Sequence, residues 1–146
     1  MWSKLIATPP IWVTLPLRIV LGIIMFAHGA QKVLGLYGGS GWSKWVSGEA
    51  PMGLRPSWLW LAGAAISEFL GGILIFFGAL TRVSAFLIAA TMLVAICGVH
   101  MGAFFSNNRG FEFPLALLAM AVALIITGGG KASIDRFLMS PRDRRR

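Results

Sequence analysis

Residues 58–79 read WLWLAGAAISEFLGGILIFFGA, an apolar run with one ionisable side chain, Glu68, near its centre. About twenty such residues, wound as a helix that rises 1.5 Å per residue, cross the roughly 30 Å of hydrocarbon in a bilayer. The run predicts a membrane span, and three further stretches read the same way: approximately Ile11–Leu36, Val83–Phe105 and Phe113–Thr127. Around them lies a chain of 146 residues, 57% hydrophobic and 12% charged, with a mean hydropathy of +0.78. A soluble domain carries about a quarter charged residues, and a chain this short has too much surface to hide such an apolar excess. That excludes an ordinary soluble enzyme. Disorder needs low hydrophobicity, and the lone Cys97 excludes a disulfide framework. The expected fold is all-α, an integral membrane four-helix bundle.

The punctuation between the runs agrees with four spans. Pro9-Pro10 precedes the first, and Tyr37-Gly38-Gly39-Ser40-Gly41 stops it. Pro56-Ser57 opens the second, and Gly78-Ala79-Leu80-Thr81-Arg82 makes a tight hairpin into the third. Ser106-Asn107-Asn108-Arg109-Gly110 joins the third to the fourth, which begins near Pro114. Gly128-Gly129-Gly130 is expected to release a basic cytoplasmic tail, residues 131–146, from a transmembrane domain spanning residues 1–130.

The net charge of +8 is concentrated in that tail, at Lys131, Arg136, Arg142, Arg144, Arg145 and Arg146. No basic stripe with interleaved aromatics occurs elsewhere, so the partner implied is the lipid bilayer with its anionic headgroups and not nucleic acid. Four spans put both termini on one side. That side collects Lys4, Arg82 and the tail cations, which outnumber Lys32, Lys44, Arg55 and Arg109 on the other. The excess predicts both termini in the cytoplasm, with Trp42, Trp45, Trp58 and Trp60 at the opposite interface.

Ionisable residues inside spans cost several kcal/mol unless paired or wet, so they carry the functional information. At 100° per residue Arg18, Gly22, Met25, His28, Gly29 and Lys32 fall within roughly a 120° arc, with Gln31 at its edge. Gly22 and Gly29 on that face permit close approach of a neighbouring backbone. Matching the spans by depth puts Arg18 roughly 7–8 Å from Glu68, which predicts an ion pair or a shared polar network. The bland alternative is a neutral Glu68 bonded to backbone or to Ser67 or Ser84. Cys97, His100, Met101 and Phe104 share a face of the third span, with His100 at the depth of His28. Together these predict a polar chamber of His28, Gln31, Lys32, His100 and Glu112 with Arg18 and Glu68 as its floor.

Several chemistries suit such a chamber. Paired His28 and His100 invoke b-type haem, but a haem also needs small residues spaced against the porphyrin, a spacing that sequence alone does not establish, so haem is disfavoured. Copper on His28, His100, Met25, Met101 and Cys97 is disfavoured too, because Met and Cys on apolar faces are usually packing. No metal site is therefore expected, and no cofactor is fixed. A quinone headgroup fits best: its carbonyls accept from His or Lys, its reduction takes up protons, and it arrives through lipid. The lone Cys97 cannot cycle as a dithiol.

The segment RIVLGIIMFAHGAQK at residues 18–32 resembles the first-helix signature of the DoxX family, small four-helix bacterial membrane proteins. Ser67-Glu68-Phe69-Leu70-Gly71-Gly72, with Gly78 and Thr81-Arg82 beyond it, resembles the family's second motif, and the likeness covers about residues 12 to 130. The Arg-rich end lies outside the pattern. The resemblance implies a bacterial inner (plasma) membrane location. It also implies kinship with the membrane subunit of a thiosulfate:quinone oxidoreductase and with partners of thiol and superoxide defence enzymes. Fold analogy alone assigns no activity.

Two readings follow. In the first, the chain is a redox-linked, quinone-interacting subunit of a membrane oxidoreductase assembly, with Arg18, His28, Gln31, Lys32, Glu68 and His100 as the polar network and binding site. Whether the chain itself catalyses a step is left open. In the second, it is a structural or anchoring subunit with no chemistry of its own. Other membrane or peripheral subunits, or further copies of the chain, are the expected protein partners. A transporter is weaker, because four short spans enclose little volume. Arg18 inside the apolar core of the first span argues against a cleaved signal peptide there. Intact mass of the purified protein is expected to show the first span retained; loss of about the first 29 residues, at the Ala27-His28-Gly29 site, would overturn the four-span reading.

Overall fold

The computed structural model describes residues 7–139, which contain helices and turns and no strand. The helices are α1 (Thr14–Val33), α2 (Gly41–Val46), α3 (Ser57–Phe77), α4 (Thr81–Ala95), α5 (Glu112–Thr127) and α6 (Ile134–Leu138). A π-helical turn, Ile96–His100, extends α4. Taken with that turn, α1, α3 and α4 are each long and apolar enough to cross a bilayer, while α5 is apolar but only 16 residues long. α1 packs against α3 and α5, and α4 packs against α3 and α5, so the four close into a ring. Leu21, Met25, Ile75, Ile88, Met92, Leu117 and Leu124 fill its centre.

The helix ends follow the expected punctuation with small shifts. The first helix begins at Thr14 rather than Ile11, and the third ends at His100 rather than Phe105. Residues 103–111 lie outside the α-helices because Phe111 and Glu112 donate back to the carbonyls of Ala103 and Phe104, closing a hairpin. Gly110 permits it, since a Cβ there would stand 2.3 Å from the Phe104 carbonyl.

The register between α1 and α3 is set by glycine. A Cβ on Gly29 would stand 2.3 Å from the backbone nitrogen of Phe69, and one on Gly72 would stand 2.4 Å from that of Phe26. Close backbone approach of this kind, rather than hydrophobic burial, holds helices together in lipid. It brings Glu68 level with Ala30, so the Arg18–Glu68 pair expected from span depths does not form. Twelve residues of rise separate them, roughly 18 Å. Side-chain direction widens the gap, because helix Cβ atoms lean toward the N-terminus. Arg18 leans toward the start of α1, and Glu68 leans toward the start of α3 at the opposite end.

Arg18 instead joins the end of the bundle that holds both chain termini. It is 2% exposed, and its Nη2 donates to the Ala132 carbonyl at 2.6 Å. Residues 128–139 do not swing free after the glycine triplet but fold across this end. Thr14 donates to the Gly129 carbonyl, and Lys131 to the Ile11 carbonyl. Ser133 caps α6 by accepting from the Arg136 backbone. Asp135, 1% exposed, accepts from the Leu80 and Thr81 backbone N–H groups at 2.7 and 2.8 Å, capping α4. Arg82 reaches the carbonyls of Ala7 and Ile125. Lys4, Arg142, Arg144, Arg145 and Arg146, on which the tail and the charge asymmetry partly rest, lie outside the described residues.

Two sets of substitutions test this packing by thermal unfolding in detergent. Gly29→Ala is expected to cost about 1–3 kcal/mol by overpacking, whereas Gly63→Ala, with nothing within 4 Å of its added methyl, leaves the Tm unchanged. Asp135→Ala strands two helix-terminal donors and is expected to cost about 1–3 kcal/mol. An unchanged Tm in both Gly29→Ala and Asp135→Ala would contradict the packing described.

Candidate functional site

The register that separates Arg18 from Glu68 delivers Lys32 to it. Lys32 stands at the end of α1 and leans back into the bundle, while Glu68 leans up from α3 to meet it. Lys32 Nζ lies 2.5 Å from both Oε1 and Oε2 of Glu68. The Lys32 side chain is 20% exposed and that of Glu68 4%, so the ammonium is the part of the pair that a ligand can reach. It also lies 4.6 Å from the centre of the Trp45 ring, a cation–π contact. Trp45 is held in turn by its Nε1, which donates to the Leu61 carbonyl at 2.8 Å.

This pair heads a cleft of about 520 Å3 between α3 and α4, in the halves away from the chain termini. One wall is Leu59, Trp60, Gly63, Ala64 and Ser67 of α3; the other is Leu87, Ala90, Thr91 and Val94 of α4. Small residues on both walls, Gly63, Ala64 and Ala90, leave the space between the helices unfilled, and nothing lies within 4 Å of where a Cβ on Gly63 would stand. Ser67 and Thr91 hydroxyls lie 2.7 Å apart across the cleft, so one donates to the other, which in turn donates to its own helix carbonyl, that of Ala64 or Leu87. Pro51, against Gly98, and Leu54 roof the cleft with the loop before α3. His100 joins it from the π turn. The chemistry offered is an apolar slot with Lys32, Glu68, Ser67 and Thr91 at one level and His100 further along, the usual form of a small-molecule site.

The expected chamber is therefore divided. Lys32, Glu68 and His100 line the cleft together. His28 faces outward beside Phe113 of α5, with ring centres 6.0 Å apart. Gln31 donates to the carbonyl of Tyr37 in its own loop at 3.4 Å. Arg18 is at the far end of α1, and Glu112 accepts from the Ser106 backbone at 2.6 Å. His28 and His100 therefore do not face each other across a haem pocket. The soft ligands are scattered, with Met25 in the core and Cys97 and Met101 exposed. Among the described residues no three His, Cys, Asp or Glu side chains gather into a group that could hold a metal.

Three contributors escaped the sequence reading. Trp45 is legible only as an interfacial aromatic, Thr91 is a lone hydroxyl in an apolar run, and Ser67 turns to Thr91 rather than to Glu68. Thr91 carried the one usable signal, since a hydroxyl in lipid needs a partner.

The comparisons with known proteins bear on the whole bundle. The chain is 38% identical over 125 residues to a Bacillus subtilis (strain 168) protein named "Putative oxidoreductase CatD", covering 86% of each chain. Two Haemophilus influenzae proteins (strain ATCC 51907 / DSM 11121 / KW20 / Rd), both named "Uncharacterized protein", are each 28% identical. They are matched over 84% and 82% of this chain and 80% and 85% of their own lengths. No solved structure matches. The DoxX family model matches residues 13–101, which run from the start of α1 through the π turn and include every residue of the Lys32–Glu68–His100 group, and the chain belongs to the DoxX family.

Proposed function

We propose that this membrane protein is a redox-linked subunit of an oxidoreductase assembly in the bacterial inner membrane, and that it binds a quinone in the cleft between α3 and α4. The observation that carries the proposal is the buried Lys32–Glu68 pair at the head of an apolar slot within the membrane-spanning part of the bundle. A charge pair that only locked helices together has no need of a cleft beside it. The name of the Bacillus subtilis relative supports a redox setting.

The fit can be examined group by group. A benzoquinone ring with a short tail occupies a few hundred Å3, within the range of small-molecule sites and of this cleft. Lys32 has three N–H donors, two of which Glu68 takes; the third is left for a ligand carbonyl. Trp45 and Trp60 offer aromatic faces for the ring. Leu59, Leu87 and Val94 suit an isoprenoid tail that leaves between the helices into lipid. A quinone supplies two-electron redox chemistry; the chain's part is to hold and orient it and to exclude water from its oxygens.

Orientation belongs to the same proposal. Arg18, Arg82, Lys131 and Arg136 gather at the end that carries both termini, and Lys131 lies over Trp12 at 5.1 Å, an interfacial contact. Lys32, Lys44, Arg55 and Arg109 match these four in number at the other end, and Lys4 with the tail arginines of the sequence supplies the excess that turns the terminal end to the cytoplasm by the positive-inside rule and puts the cleft in the outer half of the membrane.

A second reading has one observation in its favour. Lys32 and Glu68 satisfy each other and tie α1 to α3, as a purely structural subunit would require. Quinone binding separates the two readings. Trp45 and Trp60 line the cleft, so a short-tailed ubiquinone analogue is expected to quench the fluorescence of protein in nanodiscs with saturation at micromolar concentration. Lys32→Met, which removes a charge-assisted hydrogen bond, is expected to weaken binding by about tenfold or more, while Lys44→Met does not. Absence of saturable quenching up to about 100 µM, roughly −5.5 kcal/mol, or equal binding by Lys32→Met, would leave the structural reading.

A further inference from the structure

His100 enters the cleft through two departures from regular structure. The first is the π turn at Ile96–His100, in which bonding runs five residues back. In an α-helix the residues above Ala95 are Gly98 and Val99; the wider turn brings His100 onto the same face. The cleft-lining series on α4 accordingly runs Leu87, Ala90, Thr91, Val94, Ala95, Val99 and then His100. The second is Arg109, a non-glycine residue held at φ 57 in the hairpin beyond. Its carbonyl lies 2.7 Å from His100 Nδ1.

A carbonyl oxygen only accepts, so Nδ1 is the nitrogen that carries the proton in the neutral ring, and Nε2 carries the lone pair. The hairpin that supplies this carbonyl is fixed independently of the histidine. Gly110 donates to the Phe105 carbonyl at 2.9 Å, Phe111 to that of Ala103 at 3.1 Å, and Glu112 accepts from Ser106. The tautomer is thus set by backbone that is held by its own hydrogen bonds rather than by the ligand. Lys32 from α1 and Glu68 from α3 are the charged groups on the facing walls, and they are engaged with each other. Arg109 and Glu112 are the charged residues of the hairpin.

The cleft is therefore asymmetric along its length, since His100 stands ten residues of the α4 helix and its π turn, roughly 15 Å of rise, beyond the level of Glu68. Lys32 presents a donor, and His100 presents an acceptor. A quinone has two carbonyl oxygens and can satisfy only Lys32, leaving its second oxygen opposed to the Nε2 lone pair. A hydroquinone has two hydroxyls, each able to accept and to donate, and can satisfy both. We propose that His100 accepts a hydrogen bond from a ligand hydroxyl in this cleft, so that the hydroquinone form binds there in preference to the quinone form. The proposal rests on the quinone reading above and adds a residue and a direction to it. A tenfold preference for the reduced form raises the two-electron potential of the bound couple by about 30 mV. The cleft thereby favours reduction of quinone by an external electron donor over oxidation of hydroquinone.

The test compares three probes under argon in nanodiscs, by quenching of tryptophan fluorescence: a decyl benzoquinone, its hydroquinone, and the dimethyl ether of that hydroquinone. The ether keeps the ring, the tail and the oxygen acceptors, adds two methyl groups, and has no hydroxyl to donate. The hydroquinone is expected to bind about tenfold tighter than either other probe, the worth of one buried hydrogen bond and the lone pair it relieves. His100→Leu is expected to bring all three to similar affinity, and His100→Gln, which keeps one donor and one acceptor, to restore part of the preference. If the wild-type protein binds all three equally, or His100→Leu leaves the ratio unchanged, the role given to His100 is wrong while the quinone reading stands. If none binds, the quinone reading falls and this proposal with it. The wild-type comparison needs no variant to fold.

Discussion

The ion pair between Lys32 and Glu68 constrains the rest of the bundle more than any other contact. Charges within the hydrocarbon are costly, and each is retained only with a partner. The pair can form only if α1 and α3 lie antiparallel in one register, with the lysine leaning down and the glutamate leaning up. The glycine contacts of Gly29 with Phe69 and Gly72 with Phe26 impose the same register. Two independent constraints, one electrostatic and one steric, thus agree on where α1 sits. Apolar packing in lipid would not choose that register unaided, because lipid tails are as apolar as the side chains that face them.

The opposite end of the molecule solves a different problem. Helix termini leave backbone donors and acceptors unpaired, and at this end they are met by side chains from distant parts of the chain. Asp135 serves the start of α4, Arg18 serves the carbonyl of Ala132, and Arg82 serves those of Ala7 and Ile125. Segment 128–139 closes the terminal end and leaves the cleft as the opening at the other. The division gives the bundle a polar end tied by these side chains, where Arg18 Nε and Nη1 and the Thr81 hydroxyl are nonetheless buried without a hydrogen-bond partner among the described residues, and an end where α3 and α4 part.

Much of this was legible in the residues. The all-helical class, the glycine face of α1 and the need of Glu68 for a partner follow from hydropathy, 3.6-residue periodicity and the cost of buried charge. The partner of Glu68 did not follow, because aligning spans by depth ignores the direction in which helical side chains lean. That direction moves Arg18 away from Glu68 and Lys32 toward it. Asp135 was hidden for another reason: after Gly128-Gly129-Gly130 a charged segment reads as solvated tail, and only the short Ser133-capped helix returns it to the bundle. The grouping of His28 with His100 failed because equal depth on two helices says nothing about facing, and α1 shows His28 to α5. No periodicity argument anticipates a π turn, so the entry of His100 into the cleft was beyond the pattern.

Infrared spectroscopy reads the state of Glu68 directly. In nanodiscs, the difference between the wild-type protein and Glu68→Gln should show loss of the symmetric and antisymmetric stretches of an ionised carboxylate, the signature of the pair with Lys32. Loss instead of the carbonyl stretch of a protonated acid would mean that no ion pair forms there, and the constraint on which the cleft is built would be absent.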